Sequence, residues 1–150
     1  MELLPNSMSF RMITTLETTP DDPVPPHFSG RIRTSSNGRL ISVSWYANGE
    51  LDDPNHRVAA YTTYRPSGRV KQERHYRSGR LHDPAPGQPA VIGYFDDGSL
   101  RYREHFRYGR RHDAEAVPAI RKWRADGSLK TEHHYYEGLR IELVEPARAS

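Results

Sequence analysis

Histidine has the widest chemical scope of any side chain in this sequence. His75, His105 and His134 recur at one place in successive segments, and His82-Asp83 and His112-Asp113 set an imidazole beside a carboxylate. An imidazole can ligate a metal or move a proton near neutral pH. Neither use finds its partners here. Copies two strands apart in a sheet stand about 9–10 Å from each other, given a strand spacing near 4.8 Å. Zinc needs its ligating nitrogens about 2 Å away. His133 and His134 are sequential and point to opposite faces of a strand. No nucleophile recurs beside the His-Asp pairs, since the position of Ser78 is Asn48, Tyr108 or Glu137 in the other segments. The histidines read as exposed strand residues, and the aspartates as Asx-type turn formers. There is no GxGxxG, Walker-type loop or His-Glu-x-x-His. Cysteine is absent, which excludes disulfides and thiolate metal sites. The expectation is a chain with no catalytic residues, no metal and no cofactor.

Arginine is the second candidate. Residues 1–60 carry five Arg against seven Asp or Glu, and residues 61–150 carry seventeen Lys or Arg against twelve acids. The densest cluster is Arg101, Arg103, Arg107, Arg110 and Arg111. On a strand, Arg101, Arg103 and Arg107 would share the face opposite Leu100 and Phe106. Lys71, Arg77 and Lys130 would extend that strip, and Glu73 and Glu132 would interrupt it. The same face in the first segment carries Ile41, Val43 and Trp45, an apolar patch that needs cover from the N-terminal arm or from another protein. Candidate partner-binding residues are therefore Ile41, Val43, Trp45, Arg101, Arg103, Arg107, His75, His105 and His134.

What positions these residues is a repeat. Gly38, Gly68, Gly98 and Gly127 form one series, and Gly49, Gly79, Gly109 and Gly138 a second that trails it by 11 residues. Both step by 30, 30 and 29 residues, the mark of a repeat architecture. In the third unit Gln88–Phe95 reads as a strand, Asp96-Asp97-Gly98 as a turn, and Ser99–Tyr108 as a second strand with period-two alternation. The turns read as type I followed by a left-handed glycine, which suits Pro66 at the first position and Gly68 at the third. That loop sets a register in which Tyr94 faces Leu100, Tyr64 faces Val70, Trp123 faces Leu129 and Thr34 faces Leu40. Six residues further from each turn, Phe28 would face Tyr46, Val58 would face Tyr76, Gln88 would face Phe106 and Val117 would face Tyr135.

The expected product is all-β, with four hairpin repeats of about 30 residues giving an elongated single-layer antiparallel sheet of about eight strands. Residues 1–27 read as an N-terminal arm with one short strand at Ser9–Leu16 capping the sheet edge, 28–144 as the repeat domain and 145–150 as a tail. Apolar residues make up only 35% of the chain, against roughly 45–50% in a typical domain, so a thick core is not expected. There is no apolar run of about 18 residues to span a membrane. Met1–Thr15 lacks a basic start and a sustained apolar stretch, so a secretory signal is not expected, and a cytoplasmic location is the default.

The pattern aromatic-x-x-x-Gly-x-Leu, then Tyr or Phe, then x-x-Gly, resembles the variant MORN repeat of YwqK-type bacterial antitoxin-like proteins. Arg80-Leu81-His82-Asp83-Pro84 through Pro89-Ala90-Val91-Ile92 is also similar to a related bacterial and phage repeat. The likeness covers roughly residues 28–141. It departs in its period of 30 residues, where MORN units run in the low twenties, and in Asp53, Asp83 and Asp113, which stand where the family carries glycine. The resemblance implies a binding or scaffolding role, sometimes the neutralising of a toxin, and brings no catalytic residues. The leading expectation is a protein-binding module, an antitoxin or immunity protein among the options. Nucleic-acid binding through an Arg and aromatic face is the alternative, and an acidic membrane surface is a third partner class.

Overall fold

The computed structural model describes residues 13–144 and 146. The described chain is all-β. Four long antiparallel hairpins carry the repeat: β2 (Gly30–Ser36) with β3 (Arg39–Ala47), β5 (Tyr61–Tyr64) with β6 (Val70–Arg74), β9 (Val91–Tyr94) with β10 (Leu100–Glu104), and β13 (Ile120–Trp123) with β14 (Leu129–Tyr136). Each is followed by a small tip hairpin at the second glycine. These add β4 (Glu50–Leu51) to β3, pair β7 (Tyr76–Arg77) with β8 (Arg80–Leu81), pair β11 (Phe106–Arg107) with β12 (Arg110–Arg111), and add β15 (Leu139–Ile141) to β14.

The expected single layer of eight antiparallel strands is corrected in two respects. Ten strands follow one another in the main sheet, in the order β1-β2-β3-β5-β6-β9-β10-β13-β14-β15, with β4 attached to β3. The sheet is mixed, because β1 (Thr15–Thr18) runs parallel to β2, with Leu16 beside Ile32. The edge-capping strand expected at Ser9–Leu16 lies instead at Thr15–Thr18, and residues 9–12 fall outside the described chain. The tips form their own ladder: the Gly79 N–H donates to Leu51 O, Gly109 to Leu81 O and Gly138 to Arg111 O, at 2.7–2.8 Å.

Two turn chemistries alternate. At the first glycines of units two to four, Gly68, Gly98 and Gly127 alone take positive φ, and their N–H groups donate to Arg65, Phe95 and Arg124 O. This is the expected type I turn with a left-handed glycine, and Tyr64/Val70, Tyr94/Leu100 and Trp123/Leu129 pair as expected. In unit one Asn37 (φ 52°) joins Gly38 (φ 75°) in the left-handed region, a type I′ geometry that Asn tolerates. The pairing there is Ser35 with Leu40, so Thr34 faces Ser42 and not Leu40.

One residue beyond each of these pairs the register slips. Tyr94 pairs with Leu100 but Gly93 pairs with Tyr102, leaving Arg101 as a bulge. Ile41, Lys71 and Lys130 are extra in the same way. A bulge puts two residues opposite one, so alternation does not carry across it. The pairings expected further out are therefore lost. Tyr76 pairs with Leu81, Phe106 with Arg111 and Tyr135 with Arg140, while Val58, Gln88 and Val117 bridge to Asn55, Ala85 and Ala114. In unit one Tyr46 pairs with Gly30, although the rings of Phe28 and Tyr46 still meet edge to face at 6.3 Å.

The buried apolar residues are few and small: Ile32, Ala59, Ala60, Ala90, Val91, Ala119 and Ile120. They sit mainly where each link enters the next hairpin. Gly93 belongs to the same layer. Its cross-strand partner Tyr102 lies over it and reaches Gln72 on the strand beyond, whose Nε2 donates to the Tyr102 hydroxyl. A Cβ at Gly93 would overlap the Tyr102 ring. Gly93→Ala should therefore cost about 1–3 kcal/mol by overpacking, and Gly93→Ala with Tyr102→Ser should recover much of it. Urea unfolding curves check this, and an unchanged midpoint for Gly93→Ala would contradict the packing of the ring over Gly93.

Candidate functional site

The residues with chemical potential meet where each link joins the following unit. Asp53, Asp83 and Asp113 occupy the start of their links. The Asp83 Oδ1 accepts the N–H of Ala90 at 2.8 Å and of Phe106 at 3.0 Å, and its Oδ2 lies 2.7 Å from His105 Nδ1. Asp53 does the same with Ala60, Tyr76 and His75, and Asp113 with Ala119, Tyr135 and His134. One carboxylate thus closes its own link and binds both backbone and side chain of the next unit. Charge-assisted bonds of this kind are about twice as strong as neutral ones.

This changes the reading of the histidines. His75 and His105 are 6% and 2% exposed, not exposed strand residues, and His134 is half-buried. Nδ1 of each faces a carboxylate, so that nitrogen carries the proton. The aspartates do hold structure, but they reach a neighbouring unit 21 or 22 residues away, not an Asx turn. In unit one the histidine position is Trp45, and the position 30 residues before Asp53 is Pro23. The imidazole is missing where no preceding carboxylate exists to receive it. Burial opposes ionisation of Asp113, yet the Tyr135 N–H, His134 and the Ala119 N–H outweigh it and hold its carboxyl below the ordinary value of 3.8.

A second link runs beside the first. The residue preceding each of these aspartates accepts the N–H of the next tip: Asp52 from Ser78, His82 from Tyr108 and His112 from Glu137. Those donors sit at φ 47–48° ahead of their glycines, a strained choice for a ring such as Tyr108. Its ring lies against that of His82, tilted by 49° with 4.5 Å between centroids. His82 is held below its ordinary value by burial first, and then by Arg77 and against Asp83 by Arg107. That favours a neutral ring able to accept at Nδ1.

Between successive links lie two grooves. One of about 610 Å³ is lined by Arg77, His82, Pro86, Phe106, Arg107 and His112, among others. A smaller one of about 200 Å³ lies between Asn55 and His82. Among the described residues no three His, Cys, Asp or Glu gather as a metal site. No described helix is long and apolar enough to cross a membrane.

The arginines do not form the strip expected of them. Because Arg101 is bulged, Arg103 falls on the same face as Leu100 and Tyr94. Arg103 and Arg121 both stack on Trp123, at 5.9 and 5.2 Å, and Arg101 lies over Phe95 at 5.5 Å. Arg107 is exposed and lines the larger groove. On the same face as Arg103, Glu132 pairs with Arg121 at 3.0 Å, and Glu73 accepts from the Tyr94 hydroxyl at 3.1 Å. Burial and then Glu73 push Tyr94 up to about 12. Ile41, Val43 and Trp45 are half-buried rather than bare. The Arg31 guanidinium covers Trp45 at 5.6 Å and donates to Thr15 Oγ1 in β1, so the arm contributes to that cover. The structure thus disperses the residues that the sequence grouped and gathers ones it left apart. The signal for the Asp-His link was present as two columns sharing the repeat period.

Comparison with protein-family models, curated proteins and solved structures yields no match.

Removing a linking carboxylate strands buried donors, each worth roughly 1–3 kcal/mol. Asp83→Ala should therefore destabilise by about 3 kcal/mol or more. The Asp113 value is depressed in the fold, so its contribution is fully present above 3.8 and is lost as pH falls through the folded value. Urea midpoints measured from pH 7 down to pH 3 should fall less steeply for Asp113→Asn than for the parent chain. Parallel slopes would contradict the role given to Asp113.

Proposed function

We propose that this chain is a non-enzymatic binding module that holds another protein on its repeat stack. The observation that carries this reading is the commitment of its reactive groups. The imidazoles of His75, His105 and His134 each hold a carboxylate that in turn holds backbone N–H groups. None is left as a base with a nucleophile beside it. What remains for function is surface: the grooved link face with Arg77 and Arg107, and the sheet face with Arg103 and the half-covered Val43 and Trp45. Such extended surfaces suit protein recognition in repeat proteins.

The finer reading is an antitoxin or immunity protein that neutralises a toxin or effector, in line with the variant MORN-like pattern of residues 28–141. The net charge of +3 fits an acidic partner better than a basic one. Cytoplasmic residence fits the same reading.

Nucleic acid is the second reading, favoured by arginines interleaved with aromatics. Against it, the faces of Phe95 and Trp123 are already taken by Arg101, Arg103 and Arg121. Base stacking would have to displace them. An acidic membrane surface is a weaker option for the same exposed arginines.

The test is affinity capture from the native host with the tagged chain, alongside titration of single-stranded oligonucleotides at rising salt. A stoichiometric protein partner lost on Arg107→Glu with Arg77→Glu supports the reading. Strong, salt-steep oligonucleotide binding with no captured protein would replace it by the nucleic-acid one.

A further inference from the structure

We propose that the outer edge of β14 is a docking site for an extended strand of a partner protein that is acidic overall but sets one cation on this strand, added antiparallel to the sheet. The proposal rests on the protein-binding reading and names where that partner engages. Three junctions inside the stack show what the edge is built to receive. Trp45, His75 and His105 donate their N–H groups to Ala60, Ala90 and Ala119 O at 2.7–2.8 Å. From those alanines onward β5, β9 and β13 pair with β3, β6 and β10. All three alanines are fully buried, at 0% exposed, so each joining strand enters through a small residue.

β14 repeats the donor side of that junction. His134 stands where His105 stands, and Thr131, Glu132 and His133 stand where Tyr102, Arg103 and Glu104 pair with β13. In an antiparallel pair, alternate residues direct both backbone groups to one side. By this equivalence Glu132 and His134 direct theirs outward, where His134 already pairs with Ile141 of β15 and Glu132 is left open. Among the described residues no strand continues the sheet beyond Leu129–His133 of β14. At the opposite end of the sheet β1 pairs parallel with β2, so among the described residues it is the edge of β14 that continues the antiparallel interface repeated within the stack. Open edges of this kind are templates for strand addition.

Side chains around the edge specify the occupant. Leu139, 72% exposed, replaces the Arg80 and Arg110 of earlier tips, Tyr136 and Ile141 are exposed beside it, and Leu129 is exposed at the other end of β14. An apolar contact is on offer where the internal tips present charge. At the inner junction Arg103 faces Arg121, whereas β14 presents at that position Glu132, whose Oε1 already accepts from Arg121 Nε at 3.0 Å, so the partner's cation shares this carboxylate. The fitting strand therefore enters with alanine or glycine, continues with an aliphatic residue, and sets a cation opposite Glu132.

The probe is a synthetic peptide copying residues 116–123, which carries that pattern, titrated into the isotope-labelled full chain. Amide shifts confined to Leu129–Tyr136 and Ile141 are expected. Glu132→Pro removes an outward N–H that the chain's own sheet does not use, and should weaken the peptide about tenfold. Glu132→Lys keeps that N–H and should weaken it through charge. Shifts elsewhere, no shifts, or indifference to both variants would overturn the proposal. Concentration-dependent self-association through β14 that excludes the peptide would overturn it in favour of a second copy of this chain. Capture of the same host protein by the parent chain and by Glu132→Pro would sink the edge while leaving the protein-binding reading intact. Peptide seated on β14 with no host protein captured would sink that reading and leave the edge standing.

Discussion

Everything in this stack leans on a carboxylate placed at the exit of each tip. Asp53, Asp83 and Asp113 each accept a link N–H from their own unit, a backbone N–H from the next and an imidazole from the next. Buried apolar area is small, since the core is mostly alanine with one Val and two Ile. In a chain so short of oil, directional polar contacts have to carry more of the cohesion between neighbours. A buried carboxylate is costly unless its acceptors are filled, and here backbone donors fill them. The cohesion these bonds supply is local, since each joins a unit to its neighbour, the condition under which repeat stability becomes a sum of unit and junction terms.

Much of this was legible in the sequence, and the parts that were not have physical reasons. Glycine at two fixed offsets announced two turns per unit, because few residues accept left-handed backbone cheaply. Pairing next to the turn followed from turn geometry, and Tyr64, Tyr94 and Trp123 found their partners. Asn37 should have signalled that unit one differs, since Asn-Gly favours type I′. The bulges at Ile41, Lys71, Arg101 and Lys130 left no mark that alternation could register, because each is an ordinary residue in a strand-like run. One unseen residue then transferred Arg103 to the other face and cancelled every pairing drawn beyond it.

The joint between units was missed for a different reason. His82-Asp83 drew attention as neighbours in sequence, whereas the working pair is Asp83 with His105. Proximity along the chain misled where periodicity would have served. Trp45 was read as part of an apolar patch. It is better understood as the site of a histidine with no carboxylate ahead of it, capped by Arg31. The same logic separates surface from scaffold: groups that seemed available, His75 and His105 above all, are interior fittings. The surface left over is the grooved link face, the arginine-clad sheet face and the last strand.

The division of each joint between two neighbours has a genetic consequence. Units two and three each carry the acid half of one clasp and the imidazole half of another, in the same places. Unequal crossing-over that excises or duplicates a whole period would bring Asp53 against His105, or insert a fresh copy, and either product would still close. Array length can therefore drift in evolution without any junction having to be reinvented.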